Sequence, residues 1–132
     1  MAGYSGTPLP KKLGIKEGHQ VAVVHGPEGF ERTLGVPTQG KAPLDVIVAF
    51  FTRRGDLEKQ LAALRKRMAP ACGLWIAWPK KASGVPTDIT EDVIRAVALP
   101  TGLVDNKVCA IDEVWSGLRL VIRLANRLPG RP

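Results

Sequence analysis

PLDVIVAFFTRRGDLEKQLAALRKRMAPACGLWIAWPKK, residues 43–81, carries three patterns in succession. Asp45–Phe51 is a nearly unbroken apolar run rich in Val, Ile and Phe. Such a run suits a strand covered on both faces, as in a parallel sheet. Over Asp56–Met68 the period changes: Leu57, Leu61, Leu64 and Met68 fall at i, i+4, i+7 and i+11, one stripe of a helix. Asp56 and Glu58 lie early in that helix and Arg65, Lys66 and Arg67 late, which complements its dipole. Pro70 and Gly73 are expected to stop it and turn the chain into a second short apolar strand, Leu74–Trp78. Strand, helix and strand in this order predict a right-handed crossover between parallel neighbours.

Upstream, Pro8 is placed to open a short helix through Leu9 and Leu13, closed by Gly14. Glu17-Gly18 reads as a turn, Val21–Val24 as the first core strand, and Phe30–Leu34 as one or two helical turns ended by Gly35. The segment from Gly35 to Pro43 holds two prolines and two glycines and reads as a loop. Downstream, Asp88 with Glu91 three residues on suggests a capped helix whose inner stripe is Ile89, Val93 and Val97, widened by Ile94 and Ala98. Pro100-Thr101-Gly102 ends it. Lys107–Ile111 and Leu118–Leu124 are the last two strands, expected to form an antiparallel hairpin, and Ala125–Pro132 is a basic tail.

The 132 residues, 45% of them hydrophobic, suit a single domain over 1–132 with a real core. No apolar stretch approaches the roughly 20 residues that span a bilayer, and the first residues lack the apolar block of a signal peptide. Cys72 and Cys109 form no CxxC and read as two reduced thiols of a cytoplasmic protein. The formal net charge of +7 permits an anionic partner without specifying one. The basic residues are spread along the chain, so nucleic acid is not the expected partner, and neither is a membrane.

With Val21–Val24, Asp45–Phe51, Leu74–Trp78 and the final hairpin in place, the pattern resembles a class I S-adenosylmethionine-dependent methyltransferase with its middle removed. Those enzymes have a seven-stranded sheet ending in an antiparallel hairpin. The resemblance matches Val21–Val24 to their first strand, Asp45–Phe51 to the fourth, Leu74–Trp78 to the fifth and the hairpin to the sixth and seventh. Met68-Ala69-Pro70-Ala71-Cys72-Gly73 resembles the turn before their fifth strand. The expected fold is therefore a truncated Rossmann-like, three-layer α/β sandwich of about five strands, mostly parallel. A second resemblance, over nearly the whole chain, is to a family of small uncharacterised bacterial proteins. Its residues are Tyr4-Ser5-Gly6-Thr7-Pro8-Leu9, Pro27-Glu28-Gly29-Phe30, Trp78-Pro79-Lys80-Lys81-Ala82-Ser83-Gly84, Thr90-Glu91-Asp92-Val93 and Trp115-Ser116-Gly117-Leu118. It implies no activity.

Ligands of open parallel sheets sit beyond the carboxyl ends of the strands. That rule selects His25–Phe30, Thr52-Arg53-Arg54 and Trp78–Gly84. Arg53, Arg54, Lys80 and Lys81 would converge there on a phosphate or carboxylate, with Ser83 and Trp115 nearby. The competing reading is a charged rim that merely keeps the protein in solution. The methyltransferase resemblance implies a glycine-rich cofactor loop at His25-Gly26-Pro27-Glu28-Gly29, yet Pro27 removes a donor and Glu28 adds a charge where GxGxG is the rule. With the second strand missing, no acidic residue is placed for the cofactor ribose. No cofactor is thus expected, and S-adenosylmethionine stands only as the alternative. No zinc spacing is present, and the GxSxG of serine hydrolases is missing around Ser83.

The leading functional expectation is a non-catalytic binding or interaction module for an anionic metabolite or an anionic protein patch. Its rivals are a small transferase using His25, Glu28, Ser83 and Asp88, and an accessory structural subunit. Loss of two strands also leaves an edge beside Val21–Val24. Either the Gly35–Pro43 loop or the N-terminal segment covers it, or a second copy pairs there as a homo-oligomer.

Overall fold

A computed structural model of the chain describes residues 7–123. The first six residues, including Tyr4-Ser5-Gly6, and the tail from 124 lie outside the described residues. The elements run α1 (Leu9–Lys12), β1 (Val21–Val24), α2 (Phe30–Leu34), β2 (Leu44–Phe50), α3 (Arg54–Lys66), β3 (Met68–Pro79), α4 (Glu91–Ala98), β4 (Leu103–Ala110) and β5 (Trp115–Ile122). They build a mixed α/β fold around a five-stranded sheet in the order β1-β2-β3-β5-β4. β1, β2 and β3 are mutually parallel, whereas β5 runs antiparallel to both β3 and β4. Half the strand pairings are therefore antiparallel, so the sheet is parallel only in part.

Both sheet faces are buried, as the unbroken apolar run of β2 requires. Val46, Val48 and Phe50 pack with Trp75, Ala77, Leu13 of the α1 cap, and Phe30 and Leu34 of α2. On the opposite face Ile47, Ala49 and Phe51 pack with Leu74, Ile76, Trp78, the Leu57, Leu61 and Leu64 stripe of α3, and Ile94 and Ala98 of α4. The two crossovers consequently place their helices on opposite faces. Both step the same way across the sheet, from β1 to β2 and from β2 to β3. Right-handed connections stepping one way keep their helices on one face, so these two connections have opposite hands.

Four local expectations need correction. Met68 is not the last turn of α3 but the first residue of β3. The partners of β2 jump from Met68 opposite Leu44 to Gly73 opposite Val46, so an irregularity absorbs the intervening residues. Pro70, exposed within it, owes nothing to the ladder. Asp88 does not open α4; the cap is Thr90, whose side chain accepts from the Val93 amide. The hairpin strands both begin earlier than their apolar cores suggest, so Trp115 is the first residue of β5 rather than part of the turn. Cys72 is buried and Cys109 half-buried, both as free thiols.

The outer edge of β1 is met by the 35–43 loop. The Gly40 amide donates to the Val21 carbonyl at 2.9 Å, and Gln39 bridges Ala22 antiparallel. The other edge, β4, carries a bulge between Asp105 and Lys107, with Asn106, Lys107 and Val108 exposed. A bulge and a lysine are ordinary means of discouraging edge pairing. Contact at the β1 edge depends on Gly40, because a Cβ there would lie 2.5 Å from the Val21 nitrogen and 2.8 Å from its oxygen. Backbone in a sheet cannot retreat from such an overlap. Gly40→Ala is expected to lower stability by about 2 kcal/mol and to speed amide exchange along Val21–Val24. An unchanged urea midpoint would show that the loop does not hold this edge.

Candidate functional site

β2 alternates its side chains between the two faces, so a hollow touched by both Phe50 and Phe51 must sit over the strand's carboxyl end. Such a cavity, of about 360 Å3, is lined by His25, Phe50, Phe51, Thr52, Asp56, Gln60 and Trp115. β1 delivers His25, α3 delivers Asp56 and Gln60 one turn apart, and β5 delivers Trp115. The His25 Nε2 lies 2.7 Å from the Gln60 Oε1, and the imidazole stands edge-on to Phe51 at 5.7 Å. Trp115 packs edge-to-face on Phe50 at 5.0 Å, and Phe50 in turn on Phe30 at 4.8 Å. The His25 backbone takes φ +57°, a left-handed value that aims its side chain back over the strand ends and that histidine tolerates better than most residues.

The loops after β2 and β3 are bonded to each other. Thr87 donates its hydroxyl to the Thr52 carbonyl at 2.6 Å. The Asp88 carboxylate accepts from the Arg54 amide at 2.7 Å, satisfying a first-turn N–H of α3 from 34 residues away. Arg53 occupies the cap position but makes no side-chain cap bond, so Asp88 does that work. A second cavity, of about 470 Å3, opens between Trp78, Lys81, Gly84, Val85, Thr87 and Glu91.

The predicted cations are only partly gathered. Arg54 turns along its helix to Glu58, with Nε 3.0 Å from the carboxylate. This exposed i,i+4 pair is worth a few tenths of a kcal/mol, so the arginine is easily recruited elsewhere. Arg53 is exposed beside it, Lys80 is half-buried with its amide on the Val114 carbonyl at 2.7 Å, and Lys81 lines the second cavity. Ser83 donates to the Lys80 carbonyl and accepts from the Val85 amide, which makes it part of the turn.

The loop after β1 does not form the open glycine cradle that the methyltransferase resemblance implies. A Cβ at Gly26 would fall 2.7 Å from a Val23 methyl, so that side of the glycine is already filled. Gly29, at φ +82°, caps α2. Glu28 and Gly29 line a separate small hollow with Pro27, Phe30 and Asp112, away from His25. The loop is thus divided between two places, and the residues present do not fit S-adenosylmethionine. Asp56, Gln60 and the Phe50–Phe51 pair were not among the predicted site residues. The signal was there, since Asp56 and Gln60 share one face of the predicted helix at its amino end.

Compared with models of known protein families and with curated proteins, the chain gave no match.

Proposed function

We propose that this chain is a non-catalytic binding module, built on a truncated methyltransferase-like sheet, that holds an anionic small molecule at the carboxyl end of β1 and β2. The observation that carries this reading is the opposite placement of α2 and α3. When helices change face between neighbouring parallel strands, their loops part in opposite directions and open a crevice, which is where ligands of open α/β sheets bind. The cavity lined by His25 from β1 and Phe50–Thr52 from β2 lies at that junction. Excision of a second and third strand from the sheet of a class I methyltransferase accounts for the same feature. The helix after the first strand would keep its face while the strands it once led to are gone.

Three aromatic rings, a carboxylate and an amide suit a flat polar ring, while Arg53 and Arg54 at the start of α3 and Lys80 and Lys81 after β3 suit its anionic group. Binding is favoured over catalysis because the candidate reacting groups are already employed. Ser83 and Asp88 hold the loops, and His25 faces a neutral amide, which does not polarise an imidazole as a carboxylate would.

A nucleotide is the simplest probe with both a flat ring and an anion. Titrating labelled protein with ADP is expected to shift the His25, Thr52 and Trp115 resonances. Reversing all four charges to glutamate is expected to remove those shifts while leaving the fold intact by circular dichroism. Absence of shifts at the rim with millimolar ADP would sink this assignment.

A further inference from the structure

In the cavity at the ends of β1 and β2, Asp56 and Gln60 stand one turn apart on α3, with about 5–6 Å between their Cβ atoms. His25 decides which end of the amide is left over. The Gln60 Oε1 lies 2.7 Å from the His25 Nε2. An amide oxygen only accepts, so this imidazole nitrogen carries the hydrogen and donates it. The Gln60 amide nitrogen, with its two hydrogens, remains for a ligand. A carboxylate beside it only accepts. Among the described residues the Asp56 carboxylate has no hydrogen-bond or ion-pair partner. The nearby acids Glu58 and Asp88 are both engaged with Arg54.

The cavity thus sets two accepting oxygens next to an amide donor, and flat rings meet that pair unequally. One edge of guanine carries a carbonyl oxygen followed by a ring N–H and an amino group. The two donors match the two oxygens of one carboxylate, and the carbonyl matches the amide N–H. Adenine brings one amino group beside a ring nitrogen that accepts, which leaves one Asp56 oxygen without a donor. Hypoxanthine has the carbonyl and the N–H but lacks the amino group. Uracil and cytosine bring one donor group each. Trp115 packs with the residues of the α2 face, whereas α3 covers the other. A ring lying across the strand ends therefore reaches the polar pair from one side and the half-buried indole from the other. Stacking on an aromatic side chain accepts any base, so discrimination falls to Asp56 and Gln60. Arg53 and Arg54 lie directly before this turn of α3, on the side where phosphates are wanted. A volume of about 360 Å3 is within the range of small-molecule sites.

We propose that this cavity selects guanine nucleotides. Asp56 accepts from the ring N–H and the amino group, and Gln60 donates to the ring carbonyl. His25 is a positioning residue that turns the Gln60 amide. The proposal rests on the anion-binding reading of this rim and names the class of ligand held there.

Calorimetry of the full chain with GDP, IDP and ADP tests it. GDP is expected to bind roughly tenfold more tightly than either of the others, because it alone supplies a donor to both carboxylate oxygens. Asp56→Asn keeps one accepting oxygen, so it should abolish the preference for GDP while IDP and ADP bind nearly as before. Gln60→Met removes the donor at similar length and should weaken GDP and IDP alike. Circular dichroism checks that both variants fold. Equal affinity for GDP, IDP and ADP would overturn the guanine assignment and leave the anion-binding reading standing. So would a preference for GDP that survives Asp56→Asn. No binding of any of the three at millimolar concentration would overturn both.

Discussion

Replacing Trp75 with alanine is expected to cost about 3–5 kcal/mol of stability, the range for removing a large ring from a close-packed core. Trp75 is 1% exposed, sits in the middle of the longest strand, and joins three structures that have little else in common. Its ring packs with Val48 and Ala77 of the parallel strands. It lies within 3.1 Å of where a Cβ on Gly117 of the hairpin would be. Its indole nitrogen donates to Leu13, the residue that ends α1. α1 is a helix of four residues, too short to persist by itself, so it depends on Leu13 and this indole. Trp75→Phe keeps most of the volume and loses the hydrogen bond, and about 1–2 kcal/mol is expected for it. Urea denaturation separates the two variants. A loss below 1 kcal/mol in the alanine variant would mean that α1 is not anchored as described.

The second large effect is in alkali. Burial pushes the Cys72 thiol up from 9.0 to about 12, with the Asp45 carboxylate acting in the same direction and Arg119 and the Ala69 backbone against them. The folded protein therefore holds this proton more tightly than the unfolded chain does. Below pH 9 both states keep it and nothing changes. Between about 9 and about 12 only the folded thiol stays protonated, so stability falls as the pH rises, at about 1.4 kcal/mol per unit. The comparison is with Cys72→Ala, which isolates the thiol from every other group. The stability difference between the two proteins should shrink by about 2 kcal/mol by about pH 10.5. A difference that stays constant would show that the thiol is not shielded. For the same reason Cys72 should resist alkylation near neutral pH until the chain unfolds.

Much of the fold can be read from particular residues. The run Asp45–Phe51 suits a strand buried on both faces, which β2 is, and Leu57, Leu61 and Leu64 do face the sheet as their spacing demands. Gly35 and Gly102 end their segments in the left-handed conformation that only glycine adopts freely. What escaped was tertiary. Pro70 and Gly73 look like breakers, but the strand runs through them because the irregularity leaves Pro70 nothing to donate. Asp88 looks like the cap of the helix that follows, yet its partner is the helix 34 residues earlier. Strand ends pointed to the rim, but not to the use of Ser83 as a turn residue.

The bonds from Thr87 to Thr52 and from Asp88 to Arg54 have one more effect. They lock two loops that would otherwise fluctuate separately into a single shelf. Under the binding proposed above, a molecule arriving at the carboxyl ends of the strands finds its surface already assembled, with little ordering entropy left to lose. Capture there should be limited by diffusion and orientation and not by a closing motion, so its observed rate should rise linearly with ligand concentration instead of levelling off.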